Sequence, residues 1–99
     1  MPGLVVFGHV LPRPPQPPPH GALARALLCL AEAFGRDVGQ GRILIRQKVS
    51  QSDLAAMAGI ARENVSRVLH DWAQRSLVSR LAGYYCLEKK AVLEREAEG

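Results

Sequence analysis

Hydrophobic residues first recur with helical spacing between residues 22 and 34. The recurring positions, at intervals of four, three and four, are Leu23, Leu27, Leu30 and Phe34, with Leu28 and Ala31 beside them. This spacing places apolar side chains on one face of an α-helix, and Gly35 is a suitable residue to end that helix. With only about three turns, the stripe favours a helix of a domain core over an oligomer seam.

A second pattern, in residues 50–70, has the spacing of a helix-turn-helix. Ser50 is followed three residues later by Asp53, which resembles a capping box at the start of a helix over about 52–58. The same helix start is also a natural position for a DNA phosphate. Gly59 lies where the turn between two helices needs a positive φ, which costs glycine little. We therefore predict a second helix that begins two or three residues after this glycine.

The second helix, over about 61–75, is predicted to be amphipathic. Its buried positions keep the i, i+3, i+4, i+7 spacing and are Val65, Val68, Leu69 and Trp72, so Trp72 is assigned to the core rather than to base stacking. The opposite side carries Glu63, Ser66, Arg67, His70 and Gln74, with Arg62 toward one edge. A plain solvated surface is one interpretation of this polar face. Two arginines flanking a glutamate beside a helix-turn-helix favour DNA contact instead.

Short β-rich runs lie on both sides of the helix-turn-helix. Residues 36–41 are polar and contain glycine, so they are predicted as a loop, and residues 42–46 as a short strand. Residues 77–80 and 84–87 flank a glycine-containing turn and predict a hairpin, the wing, with Arg80 near its tip. Tyr84 and its neighbour Tyr85 would face opposite sides of the strand.

The amino-terminal segment has a different composition from the rest of the chain. All seven prolines lie in the first 19 residues, and residues 12–19 are nearly all proline, which excludes helix and central strand and favours an extended segment. We interpret residues 1–20 as a disordered leader rather than an SH3-type ligand. The β-rich run at 4–7 has no evident partner. Residues 21–99 then form one domain, mainly α with a small β-hairpin wing: a winged helix-turn-helix with a three-helix core. A short helix within 88–98, with Val92, Leu93 and Ala97 as docking residues, completes it.

The charge of the chain indicates the class of its partner, and its cysteines indicate the cellular compartment. The net charge is +4, and residues 41–87 hold seven Lys/Arg against three Asp/Glu, which suits a polyanionic partner. Cys29 and Cys86 are not in a C-x-x-C pair and each lies in an apolar run, so both are expected to be buried free thiols in a reducing cytoplasm. The apolar run at residues 4–11 is short and lacks a basic flank, so neither a signal peptide nor a membrane span is predicted.

Four motifs together carry a family resemblance. They are LLCLAEAFG at 27–35, SQSDLA at 50–55 with Gly59, RENVSRVL at 62–69, and the wing LVSR at 77–80 with Gly83-Tyr84. In this combination, residues of about 22–97 resemble the C-terminal winged-helix DNA-binding domain of the Crp/Fnr family of transcription regulators, of bacterial type. The resemblance implies base reading by Arg62, Glu63, Ser66 and Arg67, and contact with the DNA backbone by Ser50, Gln51, Asn64 and Arg80 in the wing.

The chemistry of these side chains agrees with the two-fold symmetric sites, with half-sites of the TGTGA or TTGAT kind, that the family reads. Arginine takes guanine O6 and N7 together, and glutamate accepts from cytosine N4. Two residues depart from the family pattern: Ala61 replaces a capping serine, and Ser76 stands at a helix end where glycine is common. Nothing in the sequence resembles the family's effector domain or its dimerisation helix, so the resemblance implies DNA binding without sensing.

The leading hypothesis is therefore sequence-specific binding of double-stranded DNA in the regulation of transcription. RNA polymerase is a further candidate partner, and a homodimer is a candidate assembly although the dimerisation helix is missing. The alternative is a winged-helix protein-interaction module with weak or no DNA affinity. An enzyme is not expected, because the histidines at 9, 20 and 70 lack metal-site spacing and no phosphate loop or nucleophile motif is present. No cofactor and no membrane partner is expected, and the predicted location is the cytoplasm.

Overall fold

The computed structural model describes residues 18–98, which form four helices and a four-stranded antiparallel sheet. The elements are α1 (Pro19–Phe34), β1 (Gly35–Gly39), β2 (Arg42–Ile45), α2 (Gln51–Ala58), α3 (Arg62–Gln74), β3 (Val78–Leu81), β4 (Tyr84–Leu87) and α4 (Lys90–Glu98). The predicted class, mainly α with a winged helix-turn-helix, is confirmed. The β-rich run at 4–7 and all but the end of the predicted leader lie outside the described residues.

Helix α1 begins within the segment that the prolines assign to the leader. Pro19 is its first residue, and the Ala22 N–H donates to the Pro18 carbonyl at 2.9 Å. The expectation that residues 12–19 exclude helix is therefore wrong at Pro19. Proline fits the first helical position because its missing N–H is not needed there and its φ is already helical.

The apolar stripe of α1 forms one wall of the core. Leu23, Leu27 and Leu30 are buried, as their spacing predicts. Phe34 is 43% exposed because it is the last residue of the helix, where the chain leaves for β1. The stripe therefore supplies three core leucines rather than four core residues.

The two cysteines differ in their surroundings. Cys29 is exposed, so the expectation of a buried thiol is wrong there; it lies one turn after the exposed Arg25 on the same face of α1. Cys86 in β4 is buried and free, as predicted. Burial, with the neighbouring charge of Glu88, raises the pKa of the Cys86 thiol, which keeps it protonated and unreactive at neutral pH.

The sheet has the strand order β1-β2-β4-β3, so it joins the wing to the strand before the helix-turn-helix. Residues 36–41, predicted as a loop, instead contribute β1, which pairs antiparallel to β2. Every residue of β1 is exposed and its composition has low strand propensity, so the pairing with β2 determines its conformation. Gly35 is required where α1 meets this strand, since a Cβ there would collide with the Ala31 carbonyl and lie 2.7 Å from Ile43 Cγ2.

Helices α2 and α3 form the predicted helix-turn-helix. Ser50 Oγ accepts from the Asp53 N–H at 3.0 Å, and the Asp53 carboxylate accepts from the Ser50 N–H at 3.1 Å, which completes the capping box. Gly59 ends α2 with a φ of 72°, and Ile60, next in the turn, is buried. Ala61 gives α3 no side-chain cap, as predicted from the missing serine.

The inner face of α3 anchors the helix in the core. Val65, Val68 and Trp72 are almost completely buried, and Leu69 is partly buried. The Trp72 Nε1–H donates to Glu96 of α4 at 3.4 Å. The core role predicted for Trp72 is confirmed, and these contacts fix the rotation of α3 about its axis.

Helix α4 packs against α1 and covers the core through the fully buried Leu93. His20, at the start of α1, lies 3.1 Å from the Asp71 carboxylate of α3. This hydrogen bond, with a second one from Arg75, holds the pKa of Asp71 below its usual range. Within residues 18–98, no helix has the length and apolar character needed to cross a membrane.

The hairpin of β3 and β4 is the predicted wing. Leu81 and Tyr84 pair across a two-residue turn in which Ala82 (φ 54°) and Gly83 (φ 86°) both have positive φ, as in a type I′ turn. Tyr85 is buried and Tyr84 only partly so, which confirms that the two tyrosines face opposite sides.

Glu88, directly after β4, connects three strands through its carboxylate. It accepts from Ser79 Oγ of β3 at 2.5 Å and from Arg42 Nε of β2 at 2.8 Å. The Ser79 hydrogen bond, followed by the Arg42 interaction, holds the pKa of the Glu88 carboxyl below its usual range. The wing is thus fixed to β2 by polar contacts as well as by strand pairing.

Replacing Ser76 by glycine is expected to stabilise the protein. Ser76 follows α3 with a φ of 58°, a left-handed conformation that costs a non-glycine residue about 1–2 kcal/mol. After allowance for the larger chain entropy that glycine loses on folding, Ser76→Gly should raise the free energy of unfolding by about 1 kcal/mol. Urea unfolding of both proteins measures this difference.

Gly59→Ala is the matched control for this substitution. A Cβ at residue 59 meets nothing within 4 Å, so the expected loss of about 1 kcal/mol is conformational only. An unfolding midpoint of Ser76→Gly at or below that of the wild type would contradict the assignment of strain to Ser76.

Removing the Ser79 hydroxyl is expected to make the free energy of unfolding less dependent on pH. Ser79→Ala should lower the free energy of unfolding by about 1 kcal/mol at neutral pH, since a charged acceptor loses a hydrogen bond at a half-buried site. The pKa of Glu88 is lower in the folded state than in the unfolded state. The stability from this bond is therefore present above the unfolded pKa and disappears as pH falls through the folded pKa.

Urea titrations between about pH 7 and pH 3 should accordingly bring wild type and Ser79→Ala together as the pH falls. Ser52→Ala, at an exposed position on α2, is the control and should follow the wild type. A gap between wild type and Ser79→Ala that stays constant over this range would show that Glu88 is not the partner that matters.

Candidate DNA-binding surface

The outer face of α3 presents charged side chains to solvent. Arg62, Glu63 and Arg67 are exposed, and none of them forms a salt bridge within residues 18–98. The helix has 13 residues and is therefore about 20 Å long. Its buried side holds these groups in a fixed orientation, while their donors and acceptors remain available to a partner.

A shallow depression lies between the first turns of α2 and α3. It is lined by Gln51, Arg62, Glu63 and Ser66. Ser66 Oγ donates to Gln51 Oε1 at 2.9 Å, so a residue predicted to read bases is bonded to one predicted to contact the backbone. The structure therefore places these four predicted residues in one continuous patch.

Arg80 lies across the wing rather than extending from it. Its guanidinium carbon is 4.5 Å from the centre of the Tyr85 ring, and its Nη1 donates to the Tyr85 hydroxyl at 3.3 Å. Burial raises the pKa of Tyr85, which therefore stays neutral beside the arginine. Its Nη2 donates to the Gly83 carbonyl at 3.4 Å, which leaves three of the five guanidinium N–H bonds without an acceptor among residues 18–98.

Lys48 is a candidate functional residue that the sequence patterns did not single out. It lines a second depression with Ser50, Asp53 and Arg80, beside the start of α2. Its Nζ lies 5.7 Å from the centre of the Tyr84 ring in the wing. The available signal was a lysine two residues before a helix cap, but its closeness to the wing depends on the sheet.

Two of the eight predicted contact residues lie apart from these depressions. Arg67 is on the outer face of α3 but lines neither of them. Asn64 is half-buried on the side of α3 that carries Asp71, since seven residues span about two turns. The other six surround the start of α2. Among residues 18–98 no group of three potential metal ligands occurs.

A comparison with protein families shows which family has this arrangement of helices and wing. Residues 21–96 match the model of the Crp-like helix-turn-helix domain. The chain belongs to this family. The resemblance seen in the sequence, to the DNA-binding domain of Crp/Fnr transcription regulators, is thereby confirmed.

Individual relatives are regulators of transcription. This Crp-like chain is 35% identical over 78 residues to the CRP-like cAMP-activated global transcriptional regulator of Mycobacterium tuberculosis, in strains CDC 1551 / Oshkosh and H37Rv; the alignment covers 79% of the chain and 31% of the relative. A CRP-family transcriptional regulator of Thermus thermophilus has a similar structure, with a TM-score of 0.71 at 30% identity over 84% of the chain and 42% of that protein. The catabolite activator protein of the same organism gives 0.64 at 32% identity over 82% and 34%. The chain thus spans less than half the length of each.

Proposed function

We propose that this Crp-like domain binds double-stranded DNA in a sequence-specific manner and serves in the regulation of transcription. The observation that carries the proposal is the pair of opposed faces on α3. One face is buried around Trp72, and the other presents Arg62, Glu63 and Arg67 without salt-bridge partners among residues 18–98. A helix held in this way fits the major groove, whose width admits one α-helix.

The three charged groups of α3 supply the chemistry of base recognition. Each arginine has a planar fork that donates to guanine O6 and N7, and Glu63 accepts from cytosine N4. These contacts carry sequence information, whereas contacts with phosphate set the register on the duplex. We therefore assign base reading to Arg62, Glu63 and Arg67.

Contacts with the DNA backbone are assigned to the start of α2 and the wing. Lys48 and Arg80 bring two positive charges to the depression that Ser50 lines, and the Ser50 hydroxyl keeps its proton for donation because its oxygen accepts within the capping box. Asn64 would contact a phosphate only on the flank of α3 away from the wing. The positive excess of residues 41–87 supports binding to a polyanion.

We extend the proposal to partners beyond DNA because the chain belongs to the Crp-like family. A two-fold symmetric site would be occupied by two copies of the domain, and a regulator bound beside a promoter would contact RNA polymerase in the cytoplasm. Selection of bound sequences from random duplex DNA tests the assembly: a palindrome indicates a dimer and a single half-site a monomer.

A response to cAMP is stated in the name of the mycobacterial relative and is not proposed for this chain, which aligns with 31% of that protein.

A salt titration separates DNA binding from the alternative, a protein-interaction module. Phosphate contacts release counterions, so affinity for duplex DNA should fall steeply and linearly on a logarithmic scale as salt rises. A protein-interaction module would show weak duplex binding with little dependence on salt.

Arg67→Ala is expected to weaken binding to a duplex with inverted TGTGA half-sites by about 1–3 kcal/mol and to relax base preference.

Lys48→Ala should weaken binding to all duplexes alike and reduce the salt slope by about one. Fluorescence anisotropy at fixed salt measures both. Arg36→Ala is the matched control, because β1 lies at the sheet edge opposite β3 of the wing and the substitution removes the same charge. Equal affinity of wild type and Arg67→Ala would contradict the proposed function.

A further inference from the structure

The hydrogen bond between Ser66 and Gln51 connects the two helices of the helix-turn-helix on their outer side. Gln51 is the first residue of α2, and Ser66 lies one turn into α3. The Ser66 hydroxyl donates to Gln51 Oε1 at 2.9 Å, across 15 positions of sequence. Both side chains line the depression that also contains Arg62 and Glu63.

This bond restricts what each side chain offers to DNA. A serine hydroxyl has one proton, and Ser66 uses it on Gln51, so it has none left for guanine O6, adenine N7 or thymine O4. The Gln51 carbonyl oxygen accepts this bond on one lone pair, and both N–H bonds of Nε2 remain available to donate. Reading of adenine by Gln51 would require Oε1 to accept a second hydrogen bond while Nε2 donates to the same base.

The surroundings of Gln51 favour a phosphate as the acceptor for Nε2. The backbone N–H groups of Gln51 and Ser52 have no acceptor among residues 18–98, because the capping box satisfies those of Ser50 and Asp53. They therefore point out from the start of α2, where an anion is stabilised. Arg62 adds a positive charge across the same depression.

We propose that Ser66 is a positioning residue rather than a base-reading residue: its hydroxyl orients the Gln51 amide so that Nε2 donates to a phosphate of the bound duplex. The inference rests on the proposed function, since it needs a duplex in contact with α2 and α3. Ordering a free glutamine side chain opposes binding entropically. The bond to Ser66 already orders the Gln51 side chain in the free protein, so Nε2 is in position to donate when DNA binds.

A positioning role and a base-reading role of Ser66 predict different losses of DNA affinity when its hydroxyl is removed. A positioning role weakens binding to every duplex by the same factor, because all duplexes present phosphates. It also acts only through Gln51, so its effect should vanish when Gln51 is replaced. A base-reading role weakens binding to the specific site alone and is independent of Gln51.

The test is a double-mutant cycle of Ser66→Ala and Gln51→Ala in the full chain. Affinity is measured at fixed salt on a duplex with inverted TGTGA half-sites and on a random-sequence duplex of equal length. We expect each single variant to bind about 3–10-fold more weakly on both duplexes, and the double variant to bind no more weakly than Gln51→Ala. Ser66→Thr keeps the hydroxyl and should restore binding to within about twofold of wild type. The salt slope should stay unchanged, because no charge is removed.

Losses that add in the double variant, or a loss confined to the TGTGA duplex, would overturn the proposal and return Ser66 to base reading. Failure of Ser66→Thr to restore binding would overturn it as well. Arg67→Ala, measured alongside, keeps the two questions separate: if it binds as wild type does, the proposed function fails and the inference fails with it. Circular dichroism of each variant checks that the substitutions leave the fold intact.

Discussion

Burial of the inner face of α3 is the interaction on which the other features of this domain depend. Val65, Val68 and Trp72 pack into a core shared with α1, α2 and α4, and the burial of such side chains contributes about 1.5–3 kcal/mol each. Because a helix has fixed geometry, anchoring one side determines where the other side points. The outward orientation of Arg62 and Arg67 is therefore a consequence of core packing.

The parts around α3 are positioned by constraints of a different kind. Gly59 adopts a left-handed conformation that sets the direction of α3 relative to α2. The wing reaches its place through the sheet, since β4 pairs with β2 and Glu88 bonds to Ser79 and Arg42. Turn geometry and strand pairing thus bring the start of α2, the outer face of α3 and the wing onto one surface.

The features that the sequence predicted are those encoded by local patterns. The capping box of Ser50 and Asp53, the turn at Gly59 and the buried face of α3 each depend on residues within one or two turns of one another. Strand β1 was missed because its composition is that of a loop and its conformation depends on pairing with β2. The exposure of Cys29 was missed because an apolar run does not show which residues of a helix face outward.

Contacts between distant residues explain what remained unpredicted at the candidate site. Lys48 joins the surface only because the sheet brings the wing turn beside it. The hydrogen bond between Gln51 and Ser66 joins residues 15 positions apart, and no pattern in the sequence predicts it. The motif predicts which residues lie on the outer side of the two helices, but only the fold shows which of them are bonded to each other.

The place of Trp72 has a practical consequence for studying this protein in solution. It is the single tryptophan of the chain, it is fully buried, and it contacts Glu96 of α4 and the ring of His20 of α1. Its fluorescence therefore reports on the joint packing of three helices. It lies on the side of α3 opposite Glu63, away from the face proposed to contact DNA. Folding can thus be followed by the intrinsic emission of Trp72, while a label on the DNA follows association.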